Sequence, residues 1–299
     1  MRQQLYDLLK ISSPAPAMEW LDTILRDQEA EFQKRPFYYS FSGVSRHFEK
    51  RGEITVSEEQ ARVLDSLVPG FTVSRWDQFR LARVLLLLVL GQQDRKTFLE
   101  TISALLNTAD LREQSAIFSA FALLPHQEDL VEAAVDGLRS NIVDIFDSIA
   151  LENPFPAKHF SEAEWNQMAL KVLFINRPVY RMTGLVERAN RDLALAISYL
   201  AHERWAAGRQ ISPEAWQHCS EFVEDQITED LVHLVENGDA LDREAVALVV
   251  SSQSSDRLDF LKERLSSEIS AIEAGTLSWH RLGEKREFPV SLNGSPALP

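Results

Sequence analysis

The sequence predicts an all-α fold of irregular stacked helical hairpins, an α-solenoid of the HEAT-like kind, and three observations carry that expectation. Apolar residues recur at helical spacing from residue 76 onward, in segments of about 10 to 18 residues. The links between segments are short, as in antiparallel helix pairs. Only 11 glycines and 12 prolines stand among 299 residues, too few for a turn-dense β architecture. No strict repeat of about 34 or 40 residues runs along the chain, so the hairpins are expected to be degenerate.

The N-terminal region, 1–75, carries expected helices over 16–33 and 58–68. Between them 35–56, R-P-F-Y-Y-S-F-S-G-V-S-R-H-F-E-K-R-G-E-I-T-V, is rich in aromatic and basic residues. It is expected to be a loop whose aromatics either pack on the first helix pair or cover a site. A helical-repeat body, 76–282, follows, with expected helices over 76–91, 95–107, 111–123, 127–138, 141–150, 162–174, 191–207, 213–225, 228–236, 241–252 and 255–273. The first of these holds the most apolar run, Leu85 to Leu90; at about half of the ~20 residues that a membrane span needs, it reads as a buried helix. Asp110 with Glu113 and Ser161 with Glu164 have capping-box form, in which each side chain satisfies an orphan backbone N–H of the other. Ser212 precedes a proline suited to the first helical position, and Asn190 fits an N-cap. From Gly283 the periodicity is lost, so 283–299 is expected to be a disordered tail.

The formal charge of -14, from 31 basic and 45 acidic residues, opposes binding to nucleic acid or to an anionic membrane surface. Cys219 is the single cysteine, which excludes an internal disulfide and a cysteine-based zinc cluster. The polar N-terminus, M-R-Q-Q-L-Y-D-L-L-K, has no apolar core and no small-residue cleavage site. A cytoplasmic location is the expectation, with no membrane-spanning segment, no metal and no cofactor. No G-x-S-x-G elbow, phosphate-cradling loop or dinucleotide fingerprint is present.

The segment 150–209 holds the densest set of unusual residue choices. In E-N-P-F-P-A-K-H-F two prolines around an aromatic predict an extended approach to the helix that begins after Ser161. On that helix Trp165, Met168, Ala169 and Val172 form one core-facing stripe. Lys171 lies on a different face, and Asn166 sits near the boundary, where its amide caps a backbone group or meets a ligand. The helix 191–207 ends in Y-L-A-H-E-R-W-A-A-G-R, with Arg204 on the meridian of Ile197 and Leu200. Its guanidinium must be paired or reach outward, either as an anion clamp or in an internal ion pair with Glu152 or Glu203. His202 and Glu203 are the candidate catalytic pair, for acid–base work. The zinc-protease pattern is absent, because Ala206 stands where the second histidine belongs. Candidate ligand-binding residues are Glu152, Asn153, His159, Trp165, Asn166, Lys171, Arg204 and Arg209, expected to be gathered by two neighbouring helices into one recess.

The run E-N-P-F-P-A-K-H-F-S-E-A-E-W-N-Q-M-A-L-K-V-L-F, then G-L-V-E-R-A-N and A-H-E-R-W-A-A-G-R, resembles the EboA family of bacterial proteins. The likeness extends upstream through D-Q-F-R-L-A-R-V-L-L-L-L, L-N-T-A-D-L-R-E-Q and L-L-P-H-Q-E-D-L-V-E-A-A-V-D-G-L-R-S-N, so it covers about 76–220 and is weaker on either side. The family pattern stands at Asn153, Pro154, Pro156, His159, Trp165, Asn166, Gln167, Lys171, Gly184, Asn190, His202, Glu203, Arg204, Trp205, Gly208 and Arg209, with no residue roles to carry over. The resemblance implies a pathway setting: such proteins are encoded beside a UbiA-like prenyltransferase, a TatD-like hydrolase and a sugar cyclase, in clusters tied to moving or making a small metabolite. On that basis the expected function is an accessory protein of small-metabolite biosynthesis or export. It would bind a polar metabolite or one of those ebo-cluster enzymes through a helical-repeat groove. The alternative is an enzyme of the same pathway acting on a sugar-phosphate-derived or prenylated intermediate, with His202 or Glu203 as acid–base.

Overall fold

The structure, a computed structural model, describes residues 1–49, 52–254 and 256–287. Seventeen α-helices and several 3-10 turns account for most of these residues, and the β pairing among them is one bridge, Glu53 to Asp77. The chain divides into two compact units, Met1–Ser161 and Glu162–Pro299.

The first unit contains α1 (Arg2–Ser12), α2 (Ala15–Ala30), α3 (Lys34–Gly43), α4 (Glu58–Leu67), α5 (Gln78–Leu90), α6 (Arg95–Thr108), α7 (Leu111–Ala120), α8 (Val131–Gly137), α9 (Val143–Ala150) and α10 (Phe155–His159). Its centre is α5, which Asp77 starts by accepting from the Arg80 backbone N–H at 2.8 Å. Leucine, valine and alanine cover α5 on nearly every side, so it must be enclosed, and α1, α2 and α7 pack against it. Helix α7 in turn packs on α9. Helices on both sides of residue 75 therefore share one core.

Three elements of this unit correct the sequence reading. A helix forms at α1, where Leu5, Leu8 and Leu9 make a short buried stripe on an otherwise polar segment. The expected loop 35–56 begins as α3, because Phe37, Phe41 and Val44 fall at i, i+4 and i+7 and are fully buried. Its Lys50 and Arg51 lie outside the described residues. The expected extended stretch before Ser161 is instead partly helical. Pro154 is the N-cap of α10 and Pro156 stands in its first turn, where a missing N–H costs nothing.

The second unit contains α11 (Glu162–Phe174), α12 (Arg191–Ala206), α13 (Asp225–Asn237), α14 (Ala240–Ser252), α15 (Asp259–Lys262), α16 (Ser266–Glu273) and α17 (Trp279–Glu287). Its centre is α14, whose Ala245 to Val250 run is buried and is met by α13, α16 and α17. The expected helix 213–225 is a 3-10 segment, Pro213–Cys219, packed against α12 and α14. Six of its seven residues are buried, so enclosure rather than an amphipathic period sets its conformation. The expected helix 255–273 is broken into shorter pieces, and Ser255 lies outside the described residues.

Helix α17 includes residues 283–287, the first five of the expected tail, while 288–299 lie outside the described residues. What fixes it is the buried Glu214. Its carboxylate accepts from Arg286 Nη1 at 3.0 Å and from the Tyr180 backbone N–H at 2.7 Å. Tyr180 Oη also bonds to Glu287, and Arg181 Nη1 lies 3.2 Å from the same carboxylate. Gly283 lets Tyr180 lie flat on the helix: a Cβ there would meet the Tyr180 ring at 2.2 Å. Tertiary contacts at single residues supply what hydrophobic period does not.

Candidate functional site

The sequence-predicted residues fall into both units, and most have an identifiable local role. In the first unit Asn153 is 5% exposed, and its amide is spent on the backbone. Nδ2 donates to the carbonyls of Phe118 at 3.2 Å and Ser148 at 2.9 Å, while Oδ1 accepts from the Phe155 N–H at 3.0 Å. One side chain thus ties together α7, α9 and the start of α10. Replacing it with alanine is expected to lower stability by about 2 kcal/mol, because three buried groups lose partners; a chemical-denaturation midpoint within error of wild type would remove it from the bracing role. Glu152, at φ 54, accepts from Arg75 Nε at 3.1 Å.

His159 lies 2.7 Å from Gln127 Oε1. The Gln127 amide nitrogen already donates to the carbonyls of Phe121 and Ala122, so its oxygen must accept and His159 Nε2 must carry the proton. Burial, then the neighbouring Lys158, holds this imidazole below its ordinary pKa, which keeps it neutral at pH 7.

In the second unit Trp165 is fully buried, as the stripe on α11 predicts, with the Arg188 guanidinium 5.2 Å from its ring centre. Asn166 makes a reciprocal amide pair with Asn190, at 3.2 and 2.8 Å. Asn190 Oδ1 also accepts from the Leu193 N–H at 2.9 Å, so it is the N-cap expected of it and Asn166 locks that cap in place. Arg204 Nε donates to the Gln210 carbonyl at 2.8 Å across the turn at Gly208, whose φ of 66 lets the chain reverse. Arg209 is exposed beyond that turn.

His202 and Glu203 point to different surroundings. His202 Nε2 is 2.5 Å from Asp230 Oδ1, and the opposite Asp230 oxygen accepts from Ser198, whose hydroxyl in turn accepts from Gln226 at 2.8 Å. The imidazole is half exposed while Asp230 is buried. Trp205 lies between the rings of His202 and His233, at 5.6 and 4.4 Å, and stacks on Trp216. Asp230 and Gln226 are partners that the sequence reading did not find, since they stand about 25 residues away with no motif linking them.

Glu203 lines a groove between α11 and α12, of about 430 Å³, together with Lys171. Its floor and walls are Leu170 and Phe174 from α11 and Ala196, Tyr199 and Leu200 from α12. Phe174 is 68% exposed and Tyr199 58%, so two large rings border the groove without being part of the core. The signal for this surface is present in sequence: Leu170 and Phe174, four apart, lie off the core stripe of Trp165, Ala169 and Val172, which makes α11 apolar on two faces. Of the predicted residues, Lys171 and Glu203 both line this groove, whereas Asn166 is committed to the α12 N-cap and Arg204 to the turn after α12.

Among the described residues no group of three or more His, Cys, Asp or Glu has metal-binding geometry, and no helix is long and apolar enough to cross a membrane. Cys219 is buried, and burial pushes its thiol far above the usual range, which makes it a poor nucleophile.

No curated protein and no solved structure matches the chain. A family model described as "Metabolite traffic protein EboA" matches residues 1–220, so the match includes the first 75 residues, where the motif likeness is weaker. Because that model covers well over half of the sequence, the chain belongs to the EboA family.

Proposed function

We propose that this protein is a non-catalytic accessory of a small-metabolite pathway, and that the α11–α12 groove holds the metabolite it handles. The observation that carries the proposal is the make-up of the groove: an apolar floor flanked by Phe174 and Tyr199, with Lys171 and Glu203 both lining it. Such a surface takes a molecule with an apolar body and polar ends. The family's description as a metabolite traffic protein supports this reading. We also infer a cytoplasmic location, a stacked-hairpin solenoid arrangement of the helices, and contacts with the pathway's prenyltransferase, TatD-like hydrolase or sugar cyclase. The neighbour-to-neighbour packing of α5, α7 and α9 supports the solenoid.

A second reading has one observation in its favour. Buried Asp230 holds half-exposed His202 in a fixed orientation, the arrangement that prepares an imidazole to move protons. One experiment separates the two. Cells lacking the protein are complemented with wild type, with the double variant Phe174→Asp/Tyr199→Asp, or with His202→Ala, and their metabolites are profiled without preselection. Both ring positions are exposed, so the double variant keeps its core. The expected result is that the groove variant accumulates the same intermediate as the deletion, while His202→Ala behaves as wild type. The reverse pattern overturns the accessory reading in favour of the enzyme.

A further inference from the structure

A cleft of about 800 Å³ lies wholly within the first unit, between α6, α7, α8 and α9, apart from the residues that the sequence marked as site candidates. Its size is that of small-molecule sites, about 300–1,000 Å³. Two chemistries share its lining. Leu99, Ile102 and Leu106 from successive turns of α6 form an apolar wall. Ser103 and Asn107 on the same helix also face the cleft, and neither has a hydrogen-bond partner among the described residues. Gln114 of α7 donates its amide N–H to the Ala109 carbonyl at 3.1 Å, which leaves its side-chain oxygen as an acceptor for an occupant.

The charges decide what kind of occupant fits. Both Asp129 carboxylate oxygens accept from the Arg95 guanidinium, at 2.9 and 2.5 Å, so that charge is already paired. Arg139 is the one cation among the described lining residues, and it is bonded to Asp136 at 3.1 Å. Glu132 has no partner among the described residues. The cleft therefore carries one uncompensated carboxylate, which repels phosphates and carboxylates and favours a cation.

We propose that this cleft binds a small hydroxylated amine, with its carbon skeleton against the α6 wall, its hydroxyls on Ser103, Asn107 and Gln114, and its ammonium on Glu132. Glucosamine is the probe, titrated against the full chain by ligand-observed NMR, with glucose and glucose 6-phosphate alongside. Saturable glucosamine binding is expected, about fivefold tighter than glucose, and none with the phosphate. Glu132→Gln should remove the advantage of glucosamine over glucose, and Ser103→Phe, an exposed position that fills the cleft, should abolish both. Absence of saturable glucosamine binding, binding that survives Ser103→Phe, or a preference for glucose 6-phosphate overturns the proposal. Glu132 is also exposed, so its variant carries the test if the phenylalanine does not fold. The proposal does not rest on the α11–α12 groove, whose residues these variants leave unchanged, so each can fail alone.

Discussion

Glu113→Ala is expected to destabilise the protein by about 3–5 kcal/mol, because it strands a buried cation. Arg83 is 1% exposed in the middle of α5. Its Nε donates to the Phe41 carbonyl at 3.2 Å, its Nη2 lies 3.5 Å from Glu113 Oε1, and the guanidinium sits over the rings of Phe41 and Phe79 at 5.6 and 5.8 Å. Nη1 has no partner among the described residues, and burial lowers the Arg83 pKa, with Glu113 the main opposing influence. Glu113 also completes the α7 capping box, accepting from the Asp110 N–H at 3.0 Å. The alanine variant therefore loses a cap, about 1 kcal/mol, as well as a counter-ion. Glu113→Gln separates the two, since it keeps the cap and removes the charge. Denaturant midpoints should fall for both variants, less for glutamine. In the double variant Arg83→Met/Glu113→Gln most of the loss should return, because an apolar replacement leaves no buried charge to neutralise. If the alanine variant loses under about 1 kcal/mol, water reaches Arg83 and the pair is not the anchor of α5.

This pair also marks where sequence reading succeeds and where it stops. The capping box at Asp110 is written in four adjacent residues and is found as expected. The partner of Arg83 stands 30 positions away, and no local pattern joins them. The same contrast holds in the 150–209 segment. Trp165 on the core stripe and Asn190 at the cap are local facts, legible from spacing alone, and both are found. That Asn153 also reaches the Phe118 carbonyl, or that His202 rests on Asp230, depends on the positions of distant chain segments. Unusual polar residues in a helical segment mark places where the backbone needs satisfying as readily as places where a ligand binds. The exposed rings of the α11–α12 groove show the converse: Phe174 lies off the core stripe in the sequence itself, but that it and Tyr199 border one groove follows only from how α11 and α12 pack.

His218→Leu is expected to change how the protein responds to acid. His218 lies on the 3-10 segment packed against α12 and α14, fully buried, and neither ring nitrogen has a partner among the described residues. Burial alone pushes its pKa from 6.5 down to about 4. The folded state therefore refuses a proton that the unfolded chain accepts, so stability is full above pH 6.5 and falls as the pH drops towards 4, by about 3 kcal/mol in all. Asp242, the third residue of α14, works in the opposite sense. Burial, which outweighs the stabilising hydrogen bond from the Asp239 N–H, raises its carboxyl from 3.8 to about 6. Here the folded state takes the proton first and gains stability as the pH falls from 6 towards 4, by about 2 kcal/mol after allowing for solvent screening. The two contributions largely cancel in the wild type, and single substitutions should expose each. Measured by urea denaturation between pH 7 and 4 and referred to wild type, His218→Leu should gain about 3 kcal/mol on acidification and Asp242→Asn should lose about 2. At pH 7 the leucine variant should already be more stable by about 1–3 kcal/mol, since it removes two unsatisfied ring nitrogens from the interior. A difference curve for His218→Leu that stays flat from pH 7 to 4 would mean that the ring meets water or a partner, and that the core around Trp216 is open to solvent.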